Sequence, residues 1–237
     1  MNKPFPKILC LIPARKGSKR LADKNIRLIN GKPLISWTIE SAVQVKSFTK
    51  VLVSTDDDRI LEIAKTNGIA APFKRPEEYC QDSTSTFEVV KHGLEFLSEK
   101  YNETYDIVVL LQPTSPLRTS ESIESAIQLM LSKNATAVVS VTACEHSPLW
   151  SNTIEADLSM NHFLRDEVKN KRSQDLPEFF RLNGAIYICK VKDLLEQKTF
   201  FVKENIFAYK MTNEESVDID TELDFIAAEI LMKRLNY

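Results

Sequence analysis

Apolar residues along the chain come in two rhythms that alternate. Short, compact and mostly apolar runs occur at 7–13, 50–54, 106–111 and 136–141. Such runs predict strands buried on both faces. Between them, apolar residues recur at helical spacing over 34–45, 57–67, 84–100 and 120–131. The segment 57–67 has an acidic first turn and is stopped by Gly68, and Ser120 is placed to cap the helix it opens. Strand character returns at 185–189 and 206–211, and 222–235 predicts an amphipathic helix. Buried strands alternating with amphipathic helices predict an α/β fold, doubly wound around a mainly parallel sheet. The rhythm fails between 144 and 180, which is polar and holds no long periodic helix. The expectation is one domain over 1–237, with 144–180 inserted as a small β-rich arm.

The 237 residues carry a formal net charge of −2. That excludes a global attraction to nucleic acid or an anionic membrane, so any anion site must come from a local cluster. The four cysteines Cys10, Cys80, Cys144 and Cys189 form no C-x-x-C pair. They read as reduced, mostly buried thiols, as in a cytoplasmic protein. The apolar run at 8–12 is cut by Pro13 and is too short for a signal-peptide core or a membrane span.

The local cluster follows the first strand. Five of the twelve residues from Ala14 to Asn25 are Arg or Lys: Arg15, Lys16, Lys19, Arg20 and Lys24. In open α/β sheets ligands bind at the carboxyl ends of strands. Gly17 and Ser18 allow a tight turn that aims backbone N–H groups at one point, which suits a polyphosphate. Neither a P-loop nor a G-x-G-x-x-G fingerprint is present, and Pro33 after Gly31-Lys32 is suited to opening a helix.

Near the other terminus, Asp218 and Asp220 are two residues apart in an extended stretch. At period two their carboxylates share a side and repel unless a cation lies between them. Hard oxygen donors of this type suit Mg²⁺. The competing role for Asp220 is to cap the last helix. After the third strand, Gln112 and Thr114 in a proline-stiffened loop offer neutral hydrogen bonds for a hydroxylated or amide-bearing ligand. Arg172 and Arg181 are either partners of a substrate carboxylate or surface charges. His92 falls on a helix face and reads as structural; His146 lies in a loop.

These residues resemble a known family. Ile12-Pro13-Ala14-Arg15-Lys16-Gly17-Ser18-Lys19, Lys24-Asn25, Leu111-Gln112-Pro113-Thr114-Ser115-Pro116-Leu117-Arg118, Arg181-Leu182-Asn183-Gly184-Ala185-Ile186-Tyr187 and Asp218-Ile219-Asp220-Thr221-Glu222 are similar, in order, to the motifs of the CMP-sialic acid synthetases (acylneuraminate cytidylyltransferases). The resemblance covers nearly the whole chain. It implies a nucleotidyltransferase fold with a small dimerisation arm, a homodimer, and transfer of CMP from CTP to an acidic nine-carbon sugar with Mg²⁺. It implies that Arg15, Lys19, Lys24 and Asn25 hold the triphosphate and that Arg75 and the stretch from Asp82 to Thr86 lie near the cytidine. Gln112 and Arg172 would contact the sugar. Arg181, Tyr187, Phe200 and Phe201 would help form its pocket, some reaching in from the partner subunit. Asp218 and Asp220 would hold the metal.

One departure is Trp150, where the family carries a basic residue. An apolar ring in that place points to a less hydroxylated relative of sialic acid, such as diacetyllegionaminic acid. The alternatives are a cytidylyltransferase for pseudaminic acid or 3-deoxy-manno-octulosonate, and, from another class, a non-catalytic nucleotide sensor on the same fold. The retained aspartate pair argues against the sensor.

Overall fold

The computed structural model describes residues 5–18, 20–69, 73–235 and 237. Six strands form one sheet: β1 (Ile8–Pro13), β4 (Lys50–Ser54), β5 (Ile107–Leu111), β6 (Ala137–Ala143), β7 (Phe180–Lys190) and β8 (Ile206–Met211). The order across it is β4-β1-β5-β7-β6-β8. All pairings are parallel except those of β7, which runs antiparallel to both β5 and β6. Two short strands, β2 (Leu28–Ile29) and β3 (Lys32–Pro33), form a separate small hairpin.

The unbroken apolar strands are explained by helices on both faces. Along β1, Ile8, Cys10 and Ile12 point to one face and pack with α1 (Leu34–Val43), α2 (Asp58–Thr66) and α4 (Ser120–Ser132). Leu9 and Leu11 point to the other, against α3 (Thr86–Tyr101) and α5 (Val191–Gln197). Each such fully buried Ile or Leu contributes about 1.5–3 kcal/mol, so a core of this extent needs no cross-links, and all four cysteines are free thiols. On α3, Gly93 is required by contact: a Cβ there would lie 2.8 Å from Leu11 Cδ1. The last helix, α6 (Glu222–Arg234), buries Phe225, Ala228 and Met232 against Leu21, Ile29, Trp37 and Ile219. It thereby ties the C-terminal region to the loop after β1.

The helix starts follow capping chemistry. Asp57 caps α2, Ser85 closes a capping box with Glu88 on α3, and Thr221 does the same with Asp224 on α6. The cap of α4 is Thr119, not Ser120, which is the first helical residue. The cap of α6 is Thr221, so Asp220 is released from that role.

Three features depart from the sequence expectation. The strand expected at 185–189 extends over eleven residues and is antiparallel. Helix α5 and the small hairpin had no predicted counterpart. The segment between β6 and β7 is not β-rich: its described residues form three 3-10 turns, Pro148–Trp150, Asp166–Val168 and Ser173–Asp175, and no strand. Its side chains are mostly exposed and polar, with Val168 its buried anchor, so it lacks the alternating apolar face a strand needs. Among the described residues no helix is long and apolar enough to cross a membrane.

Candidate active site

The carboxyl ends of β1 and β5 and the stretch leading into α6 meet around a cavity of about 530 Å³. Arg15, Ser18, Arg20, Lys24 and Asn25 line it from the first loop, Gln112 and Thr114 from the second, and Asp218 and Asp220 from the third. Lys19 lies outside the described residues.

A loop this rich in cations repels itself, and neighbouring acids hold it. Lys16 N–H donates to Asp56 Oδ1 at 2.7 Å. Arg59 bridges the cap residue Asp57 (2.7 Å) to Asp23 (2.9 Å), and Asp23 sits in the left-handed region at φ 52°. Asn25 Nδ2 donates to the Arg15 carbonyl at 3.2 Å. Arg15 itself pairs with Asp82 at 2.7 Å, which places Asp82 beside the basic loop. The hydrogen bonds from Arg59 hold Asp57 below the usual carboxylate range.

The two aspartates differ sharply. Asp220 is matched by Lys24 at 3.0 Å and Arg20 at 3.1 Å, and Lys24 also donates to the Ile219 carbonyl at 2.6 Å. Asp218 Oδ1 is buried with no hydrogen-bond partner. Burial pushes the Asp218 carboxyl up, against the pull of Thr114, and the charge of Asp220 pushes the same way. Ile219, buried between them, bonds to Thr114 through its N–H at 2.9 Å. An orphaned carboxylate oxygen beside a second carboxylate could hold a hard divalent cation that completes its shell with water and phosphate. Among the described residues no group of three or more His, Cys, Asp or Glu is placed to hold a metal ion; Asp218 and Asp220 are a pair that could contribute to one. Gly184, at φ 74°, lies directly beneath: a Cβ there would sit 3.1 Å from Gln112 Oε1 and 3.5 Å from Asp218 Oδ2.

A second cavity of about 260 Å³ adjoins the first and shares Gln112 with it. Tyr187, Phe200 and Phe201 form its aromatic wall, with ring centroids of 5.8 Å (Tyr187–Phe200) and 6.2 Å (Tyr187–Phe201). Burial raises the Tyr187 hydroxyl above its ordinary value. Thr86, expected near the nucleotide, lines this cavity instead.

Other expected residues lie outside both cavities. Arg172 is exposed and paired with Asp175 at 3.0 Å, and Arg181 pairs with Glu145 at 2.7 Å. Arg75 is buried, its backbone N–H bonded to Thr55 and its Nε and Nη2 without partners. Burial lowers its pKa, and the two unpartnered nitrogens are enclosed rather than open to either cavity. Trp150 stands half-buried on a 3-10 turn and lines neither cavity.

Sequence reasoning missed two struts. Arg118 is fully buried, bonding the Gln112 and Ala185 carbonyls and Thr38 Oγ1 at 2.9–3.1 Å, and burial lowers its pKa to about 10. It therefore fixes the Gln112 loop to β7 and α1. Asn183 is buried at the bend of β7, accepts from Ser140 at 2.6 Å and donates to Ser216 at 2.9 Å, which anchors the stretch carrying Asp218. A polar residue inside a β-run is the signal that marks Asn183; nothing in the sequence distinguishes Arg118 from a ligand-binding arginine. Lys198, which lines the second cavity, was also not singled out, and Arg20, which lines the first, was noted only as one of the cations of the basic loop.

A doubly wound sheet with a basic loop at one strand end and an aspartate pair across from it defines a nucleotidyltransferase type of site. The chain belongs to the cytidylyltransferase family, whose model matches residues 9–235. It is 36% identical to the CMP-N,N'-diacetyllegionaminic acid synthase of Legionella pneumophila, over 96% of this chain and 97% of that one. It is also 36% identical to an N-acylneuraminate cytidylyltransferase of Escherichia coli, over 97% of this chain but 53% of the longer relative. A pseudaminic acid cytidylyltransferase of Campylobacter jejuni is 34% identical over 96% of this chain and 97% of that one. The fold matches a CMP:2-keto-3-deoxy-manno-octonic acid synthetase complexed with CTP (TM-score 0.70, 21% identity, 97% and 99% covered). It also matches a 4-diphosphocytidyl-2C-methyl-D-erythritol synthase from Anaerococcus prevotii (0.66, 15%, 98% and 100%).

Proposed function

We propose that this protein transfers CMP from CTP to the anomeric hydroxyl of a nine-carbon acidic sugar, N-acetylneuraminic acid or N,N'-diacetyllegionaminic acid, and releases pyrophosphate. The observation that carries the reading is the junction of two cavities at Gln112, one lined by cations and aspartates and one by aromatic rings. Arg15, Ser18, Lys24 and Asn25 take the triphosphate, with Lys19 in the same loop. Arg75 is assigned to the cytidine on the family resemblance alone. The sugar lies against Tyr187, Phe200 and Phe201, with its anomeric carbon at the Gln112 end. There its hydroxyl oxygen, losing its proton to water, attacks the α-phosphorus in line as the bond to the bridging oxygen of pyrophosphate breaks. The protein contributes alignment and fixed positive charge rather than covalent chemistry. Asp218 and Asp220 would hold Mg²⁺, which would supply further positive charge to offset that growing on the pyrophosphate.

The segment 144–180 exposes Ile154, Leu158 and Met160, which supports its role as the arm of a homodimer. In that assembly Arg172 and Arg181 act at the partner's sugar site. CTP as substrate and four free thiols suit the cytoplasm.

The test is pyrophosphate release from CTP and Mg²⁺ with N-acetylneuraminic, diacetyllegionaminic and pseudaminic acids, beside light scattering for mass. Turnover with one of the first two and a dimeric mass are expected. Turnover with pseudaminic acid alone would replace the substrate, and no turnover with any of the three would overturn the reading.

A further inference from the structure

Lys198 stands out on two independent counts. Eight non-glycine residues among those described have positive φ, and six are Asn or Asp, the types that tolerate the left-handed region. Lys198, at φ 56°, is one of the two exceptions, at the end of α5 where Gly or Asn is the usual choice. A long side chain kept in an unfavourable backbone position points to work done by the side chain. The second count is its place. Lys198 lines the aromatic cavity and is the one cationic side chain among the described residues that do. It has no ion-pair or side-chain hydrogen-bond partner among the described residues, whereas Arg172 and Arg181 are each taken by a carboxylate.

The turn that presents it is firmly held. Lys198 N–H donates to the Leu194 carbonyl at 2.8 Å, Phe201 N–H to Thr199 Oγ1 at 3.0 Å and Lys203 N–H to Gln197 Oε1 at 3.0 Å. Phe200, two residues on, is buried against Tyr187. The backbone that presents Lys198 is thus held beside the aromatic wall, with the side chain exposed at the cavity.

Sugar chemistry orients the rest. In a 2-keto acid sugar the attacking hydroxyl and the carboxylate share the anomeric carbon, so both must sit where the two cavities meet. What extends along the aromatic wall is the distal half, with its acylamino and hydroxyl groups, where one nine-carbon acidic sugar differs from another. We propose that Lys198 is a specificity-determining residue, whose ammonium donates to an acyl carbonyl or hydroxyl oxygen on the distal half of the sugar. The inference rests on the sugar cytidylyltransferase reading above. A charged donor at the rim of an apolar-walled pocket discriminates between sugars, because an analogue lacking the acceptor forgoes a charge-assisted hydrogen bond that the substrate makes.

The test compares kcat/KM of wild type, Lys198→Met and Lys198→Arg for N-acetylneuraminic and diacetyllegionaminic acids, with the KM for CTP as internal control. In Lys198→Met the preferred sugar should lose about tenfold or more in kcat/KM through its KM, and the preference between the sugars should shrink. The KM for CTP should stay within about twofold, and Lys198→Arg should recover much of the loss. Wild-type turnover with an unchanged sugar preference in Lys198→Met would overturn the role of Lys198 and leave the enzyme assignment standing. Absence of wild-type turnover with either sugar would overturn the assignment and the inference with it.

Discussion

Replacing Asp218 by Asn sets stability against activity. In the ligand-free protein Asp218 holds a buried oxygen without a partner, beside a second carboxylate. An unsatisfied buried polar group costs about 1–3 kcal/mol, more if charged. The amide removes the charge but keeps a polar atom to satisfy, so a net gain of about 1 kcal/mol is expected, raising Tm by about 2–4 °C for a chain of this size. The sign with pH follows from the raised carboxyl. The ionised form is the costly one, so wild-type stability falls as pH climbs out of the ordinary aspartate range, and the two proteins converge at acid pH. Activity goes the other way: with a charge-stabilising group lost, kcat should fall about 10²–10³-fold. CTP with Mg²⁺ at about 100 Kd should raise the wild-type Tm by roughly 5–10 °C, from about 2.7 kcal/mol of linkage, and the Asn variant far less. The measurements are thermal denaturation with and without CTP and Mg²⁺, and pyrophosphate release. A variant less stable than wild type, or one within about tenfold of its turnover, would refute the reasoning.

Gly184→Ala adds a methyl 3.1 Å from Gln112 Oε1 at a backbone angle of φ 74°; the left-handed conformation costs about 1–2 kcal/mol, and kcat/KM in the pyrophosphate assay should drop about tenfold or more. Asn183→Ala removes the tie between Ser140 and Ser216, so a loss of about 1–3 kcal/mol in urea unfolding is expected, with kcat reduced more than the KM for CTP rises. Asp57→Ala deletes the cap of α2 and one partner of Arg59, at a cost of about 1 kcal/mol. Because Arg59 lowers the Asp57 carboxyl, this stabilisation is present above the ordinary aspartate range and is lost as pH falls through the lowered value, so acid unfolding curves of variant and wild type should merge at low pH.

The periodicity of apolar residues placed the strands and most helices, because a strand covered on both faces must be apolar throughout and a helix covered on one face must repeat near 3.6. It could not place β7. The run at 185–189 reads alike in either direction, and only pairing with β5 and β6 makes it antiparallel. The polar stretch from 144 to 180 was visible as a break, but the absence of strands within it was not, since short β-prone pieces need a neighbour to pair with.

The same division runs through the site. Sequence alone determined the chemistry on offer, a basic loop after the first strand and two aspartates at period two, because both are local patterns of a few residues. Tertiary structure decided which charges meet. Lys24 reaches Asp220 across 196 positions, Asp220 is thereby neutralised while Asp218 is left orphaned, and Arg118 is spent on backbone carbonyls inside the core. It also joined the two cavities at Gln112 and gave Lys198 its aromatic surroundings. The physical reason is that side-chain spacing encodes local geometry, whereas burial and charge partnership are set by strands and loops that the fold brings together from distant parts of the chain.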